Sequence, residues 1–123
     1  METIIWIIQG LLAIAFLLAG IMKLVMAKNE IKEKVGGWVD DFTYLQIKLI
    51  GTAEILGAVG LVLPVLLNIY PVLTPAAAFG LLITMLGAAR IHWKRKESIG
   101  LNILLSLLLL LVIIGRIYIV PVI

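Results

Sequence analysis

The sequence predicts an all-α integral membrane protein, a four-helix bundle with four transmembrane helices, and three observations carry that prediction. Hydrophobic residues make up 63% of the 123 positions and charged residues only 14%, with a mean hydropathy of +1.22, a composition foreign to soluble domains. The apolar residues gather into four runs, each near the roughly 20 residues that cross a hydrocarbon core about 30 Å thick. The Lys and Arg residues alternate between the segments that join these runs. Spans are expected at about 4–26, 45–67, 72–91 and 99–120, forming a single transmembrane domain over residues 1–123.

The first run (4–26) has no Lys or Arg before it and exceeds the core of a signal peptide. No small-residue cleavage pattern follows, so it is expected to be retained as a helix. LLAG (17–20) is not followed by the Cys of a lipoprotein signal. Residues 28–46, KNEIKEKVGGWVDDFTYLQ, mix both signs of charge with Ile31, Val35, Trp38, Val39, Phe42 and Leu45 at spacings of mostly three and four. That pattern predicts a short amphipathic interfacial helix, broken or capped near Gly36-Gly37. Its plain role is an anchor, with Trp38 and Tyr44 in the aromatic belt; its sharper role is a lid over a cavity, or a docking surface for a soluble partner. The second and third runs are joined by NIYPVLTP (68–75), whose prolines suit a tight turn at a membrane surface. HWKRKES (92–98) joins the third to the leucine-rich fourth.

Charge sets the expected orientation. Lys23, Lys28, Lys32, Lys34, Lys48, Arg90, Lys94, Arg95 and Lys96 flank the first and third connections, and only Arg116 lies toward the other side. By the positive-inside rule the loops at 27–44 and 92–98 face the cytoplasm and both termini lie outside a plasma membrane. The net charge of +3 is then explained by topology and anionic lipid, without nucleic acid. With no cysteine and a single histidine, disulfides, thiolate catalysis, covalent haem and a metal site fall away. Any redox cofactor is expected to be held non-covalently or to belong to a partner. No phosphate loop and no plausible Ser–His–acid set is present, so catalysis by this chain alone is not expected.

Polar groups inside the spans are the candidate functional residues, because a charge there costs about 2.5–3.5 kcal/mol on insertion scales and turns toward protein or a cavity. At 100° per residue, Gln9, Ala13, Phe16, Gly20 and Lys23 share a face of the first helix, and Ile47, Gly51, Glu54, Ala58 and Leu61 one of the second. Ala77, Gly80, Thr84 and Gly87 or Ala88 make a small-residue stripe on the third, expected to permit close helix approach. Ser98, Asn102, Ser106, Ile113 and Arg116 share a face of the fourth. Glu54 is the one deep carboxylate, with Ser106 at similar depth and Lys23 the cation best placed to reach it. Arg90 and His92 are weaker candidates, and Gln9 and Arg116 belong to the far end. Glu54 is expected either to lock two helices through a Lys23 ion pair, or to exchange protons or anchor a ligand head group.

GTAEILGAVGLVLP (51–64), LTPAAAFGLLITMLGAARIHWKRKE (73–97), the GxxK at 20–23 and the GR at 115–116 together resemble the DoxX-like small membrane proteins over nearly the whole chain. The resemblance aligns Lys23, Glu54, Pro64, His92 and Arg116 with family signature positions, Pro64 with a proline placed after the second helix. It implies a four-helix membrane fold. It also implies a link to quinone chemistry, since the family takes its name from a subunit of a thiosulfate:quinone oxidoreductase. On that expectation Glu54, with Asn102 or Lys23, meets a quinone, and a soluble redox partner docks on the basic loops. The alternatives are a non-catalytic assembly, chaperone or lipid-binding protein, and a small-molecule or proton-coupled carrier; homo-oligomerisation would be needed to give a carrier enough room.

Overall fold

The computed structural model describes residues 1–121, whose regular elements are all helical, with no strand among them. Helix α1 is Glu2–Val25, α2 is Lys28–Val35, and a 3₁₀ turn follows at Gly37–Asp41. Helix α3 is Tyr44–Leu67, α4 is Leu73–Lys94, and α5 is Gly100–Ile114, continued by a π-helical turn at Gly115–Ile119. Counting α5 and its π turn together, four helices are long and apolar enough to cross a membrane. Their ends fall within a few residues of the expected spans. The largest departure is α4, which continues to Lys94 and so carries His92 on its last turn.

The four long helices close a ring, α1 on α3, α3 on α4, α4 on α5 and α5 back on α1. One end of this bundle, the basic end, holds α2, the 3₁₀ turn and the loop after α4. The other, the terminal end, holds the N-terminus, the π turn after α5 and the turn between α3 and α4. In lipid, close helix approach needs a small residue on one side of each contact. Gly20 and Gly51 supply it between α1 and α3: a Cβ on Gly20 would lie 2.6 Å from the Gly51 carbonyl oxygen, and one on Gly51 would lie 2.8 Å from Lys23 Cβ. Gly57 receives Leu81, Gly60 receives Ala77, and Gly115 receives Ile5. Of the expected α4 stripe Ala77 serves this purpose, while Gly80 and Gly87 face open space. Since α3 already contributes the glycines, α4 meets it with Leu81 and Ala77.

Local chemistry fixes the helix ends. Thr43 and Gln46 form a reciprocal capping box that starts α3, and Asn68, left-handed at φ 53°, closes it. Pro64 lies within the last turn of α3, not beyond it, and has no N–H for the carbonyl of Gly60, four residues back. The buried Thr74 hydroxyl donates to that carbonyl at 2.9 Å instead. Between α2 and the 3₁₀ turn, Gly36 takes φ 109°, a conformation glycine alone adopts readily.

Two apolar clusters result. The larger joins Leu12, Phe16, Ala58, Leu61, Ala78, Leu81, Leu82, Met85, Leu109 and Val112 from all four spans. The smaller, at the basic end, holds Ile31, Val39 and Ile47, with Met22, Met26, Trp38 and Phe42 against them. The second cluster seats the amphipathic segment onto α1 and α3.

Candidate functional site

Between the two clusters lies a cavity of about 690 Å³, walled by α1, α3, α4 and α5 and covered by the segment between α1 and α3. Its polar side chains are Lys23, Lys34, Glu54, Thr84, His92, Ser98 and Asn102; Trp38 and Phe42 line it from the covering segment, and the rest is apolar. The expected small residues Thr84, Gly87 and Ala88 are found here, where they leave room rather than bring helices together.

Lys23 Nζ and Glu54 Oε1 stand 2.8 Å apart, with side chains only 8% and 4% exposed. The pair bridges α1 and α3 beside the Gly20–Gly51 contact, so the backbone approach sets the reach of the two side chains. Above it, Lys23 Nζ lies 6.0 Å from the Trp38 ring centre, within cation–π range. Trp38 makes edge-on contacts with Phe42 and His92, at 5.7 and 5.9 Å between centroids. His92 Nδ1 meets Glu97 Oε1 at 2.9 Å. Asn102 Nδ2 lies 3.9 Å from Met85 Sδ, and Ser98 borders the same space.

The covering segment is strapped down at two points. Asp41 accepts from Arg95 at 3.2 and 3.3 Å, which ties the 3₁₀ turn to the loop after α4. Asp40 meets Lys32 at 2.7 Å, which ties that turn back to α2. The hydrogen bond from Lys32, reinforced by its charge and those of Lys28 and Arg95, holds the Asp40 carboxyl below its ordinary range. At the edge of the lid Lys48 donates to the Leu24 carbonyl at 2.7 Å and lies 4.7 Å over the Tyr44 ring.

The sequence-expected residues therefore divide. Lys23, Glu54, His92 and Asn102 meet around one cavity. Ser106 is buried but does not line it. Gln9 and Arg116 form a separate node at the terminal end: Arg116 Nε donates to Gln9 Oε1 at 2.7 Å, while Gln9 Nε2 donates to the Leu61 carbonyl. Arg116, 1% exposed, also faces Glu2 at 3.6 Å and the Trp6 ring at 5.0 Å, so its charge is met by partners on α1. Arg90 is exposed and outside the cavity.

Two features differ from the plain expectation. Trp38 is turned inward over the cavity, while Tyr44 stays exposed, so the segment covers the cavity. The turn at Gly36 is what swings Trp38 over Lys23, and Gly36-Gly37 was its only trace in the sequence. The Asp41–Arg95 strap joins residues 54 positions apart, and no local pattern could announce it. A second hollow of about 560 Å³, between α3 and α4 around Pro64, is lined by apolar residues alone and offers only dispersion contacts.

In chemical terms the cavity presents donors at Lys23, Asn102 and Ser98, a carboxylate at Glu54, an imidazole already paired to an acid, and an aromatic roof. Such a set suits an uncharged amphiphile with a flat head bearing acceptors.

A model of the DoxX-like family matches residues 7–115. No curated protein and no solved structure matches the chain.

Proposed function

The chain belongs to the DoxX-like family, and on that footing we propose that this multi-pass membrane protein is an accessory subunit of an oxidoreductase that binds a lipid-soluble quinone in the cavity under the lid. One observation carries the reading: a buried Lys23–Glu54 pair, with His92 and Asn102 nearby, opens onto a largely apolar chamber roofed by Trp38 and Phe42. A bundle that needed only cohesion would fill that space with side chains.

The residues fit such a ligand. Lys23, Asn102 and Ser98 can donate to carbonyl oxygens, Trp38 and Phe42 offer ring faces and edges, and Glu54 and the His92–Glu97 pair can hold or pass a proton. A bound quinone supplies two-electron, two-proton redox chemistry. Electrons come from a soluble partner docked at the basic end, where Lys94, Arg95 and Lys96 also meet anionic lipid. In this reading the basic end faces the cytoplasm and both termini lie outside the plasma membrane.

The test is mass spectrometry of lipids extracted from mildly purified protein, wild type beside Glu54→Gln. A stoichiometric quinone in the wild type, lost in the variant, is the expected result. Bulk phospholipid alone in both preparations would refute the reading and leave Glu54 a purely structural partner of Lys23.

A further inference from the structure

The cavity has a lid at the basic end, and its walls are not equally tight. Helices α1 and α3 meet backbone to backbone at Gly20 and Gly51, level with the ion pair. Helices α1 and α5 meet differently. Ile5 packs on Gly115 and Gln9 bonds Arg116, all at the terminal end. Toward the basic end Ala15 and Ala19 on α1 and Leu101 and Leu105 on α5 line the cavity. Ala15 and Leu101 are exposed at the bundle surface, Leu101 to 67%. Ala15 and Leu101 thus border both the chamber and the bundle surface, and Ala15 and Ala19 present only methyl groups there.

Resting on the ligand reading above, we propose that the basic-end half of the α1–α5 seam is a lateral opening through which a single-tailed, membrane-dissolved amphiphile enters from lipid, its head reaching Lys23 and Glu54 while its tail stays between Ala15, Ala19, Leu101 and Leu105. A lipid-soluble ligand then never crosses the charged lid, and the Asp41–Arg95 strap can stay closed throughout.

The native chain lacks cysteine, so a single introduced thiol reports access. Full-length Ala88→Cys places it on the α4 wall of the cavity. In liposomes it is treated either with N-phenylmaleimide, which dissolves in lipid, or with a sulfonated maleimide confined to water. The expected result is labelling by the first reagent only, lost when Ala19→Trp fills the seam and unchanged when Asp41→Asn releases the strap. Leu101→Trp obstructs from the opposite helix and replaces Ala19→Trp should that variant not fold. Labelling that survives both obstructions, that fails with both reagents, or that appears only once Asp41→Asn releases the strap would overturn the proposal. Because the thiol reports access and not affinity, a protein that carried no quinone would still give the expected pattern, which separates this result from the lipid analysis.

Discussion

Replacing Lys23 by Met leaves Glu54 buried without its cation, and the size of the loss follows from the geometry. At 2.8 Å separation and an effective dielectric of about 20, the attraction is on the order of 6 kcal/mol. Desolvating the two ions opposes it by several kcal/mol each, so the pair as a whole contributes little net stability. Removing one partner forfeits the attraction and retains the other ion's desolvation, a loss of about 3–5 kcal/mol. Lys23→Met and Glu54→Gln should each fall in that range, while the double variant should lie within about 1–2 kcal/mol of wild type, since neither ion remains. The assay is reversible unfolding in mixed micelles titrated with SDS, followed by helical circular dichroism, over the full four-member cycle. A coupling energy within about 0.5 kcal/mol of zero would refute the pairing.

The other predictions concern the lid and the helix contacts. Thr74→Val should cost about 1–2 kcal/mol by stranding the Gly60 carbonyl; in a Pro64→Ala background, where residue 64 regains its N–H, the same substitution should cost much less in the same unfolding assay. Gly51→Ala should destabilise by about 1–3 kcal/mol, because its new methyl meets Lys23 Cβ and the Gly20 carbonyl. Gly80→Ala, into open space, should be neutral or stabilising by up to ~1 kcal/mol, as expected inside a helix. Asp40 has its carboxyl held below the ordinary value of 3.8 by Lys32, so its contribution to closing the lid is complete above that pH and lost as pH falls through the lowered value. Trp38 fluorescence, read in a Trp6→Phe/Trp93→Phe background, should change in that acid range and lose the transition in Asp40→Asn.

The sequence made the spans legible because a bilayer imposes one length and one polarity on any helix that crosses it. The inward face of α3 was equally legible: Ile47, Gly51, Glu54, Ala58 and Leu61 are all buried, as the 100° period required, whereas α4 buries Thr74, Pro75, Ala78, Leu81, Leu82 and Met85 and leaves Gly80 and Gly87 of its small-residue stripe exposed. The Lys23–Glu54 pair was accessible by elimination, since only one cation could reach the deep carboxylate. What periodicity did not convey is the division of labour among small residues. Gly20 and Gly80 look alike in sequence, yet one is pressed against a backbone and the other meets nothing; the difference depends on what the neighbouring helix presents. The Arg116–Gln9 bond joins positions 107 apart, and only the closing of the ring brings them together. His92 shifted role because α4 ran one turn longer, which moved it from the loop onto the cavity wall.

The Gln9–Arg116 node also has a mechanical meaning. It gathers α1, α3 and α5 at one level through a side-chain bond and the Leu61 carbonyl, as the rivet of a pair of tongs gathers its arms. From Gln9 to Ala19 is ten residues, a lever of about 15 Å, so a tilt of roughly 10° at the rivet moves the free ends apart by about 3 Å. That is close to the thickness of an aromatic ring. A tilt of that size at the rivet would part the far jaws by the width of a flat molecule.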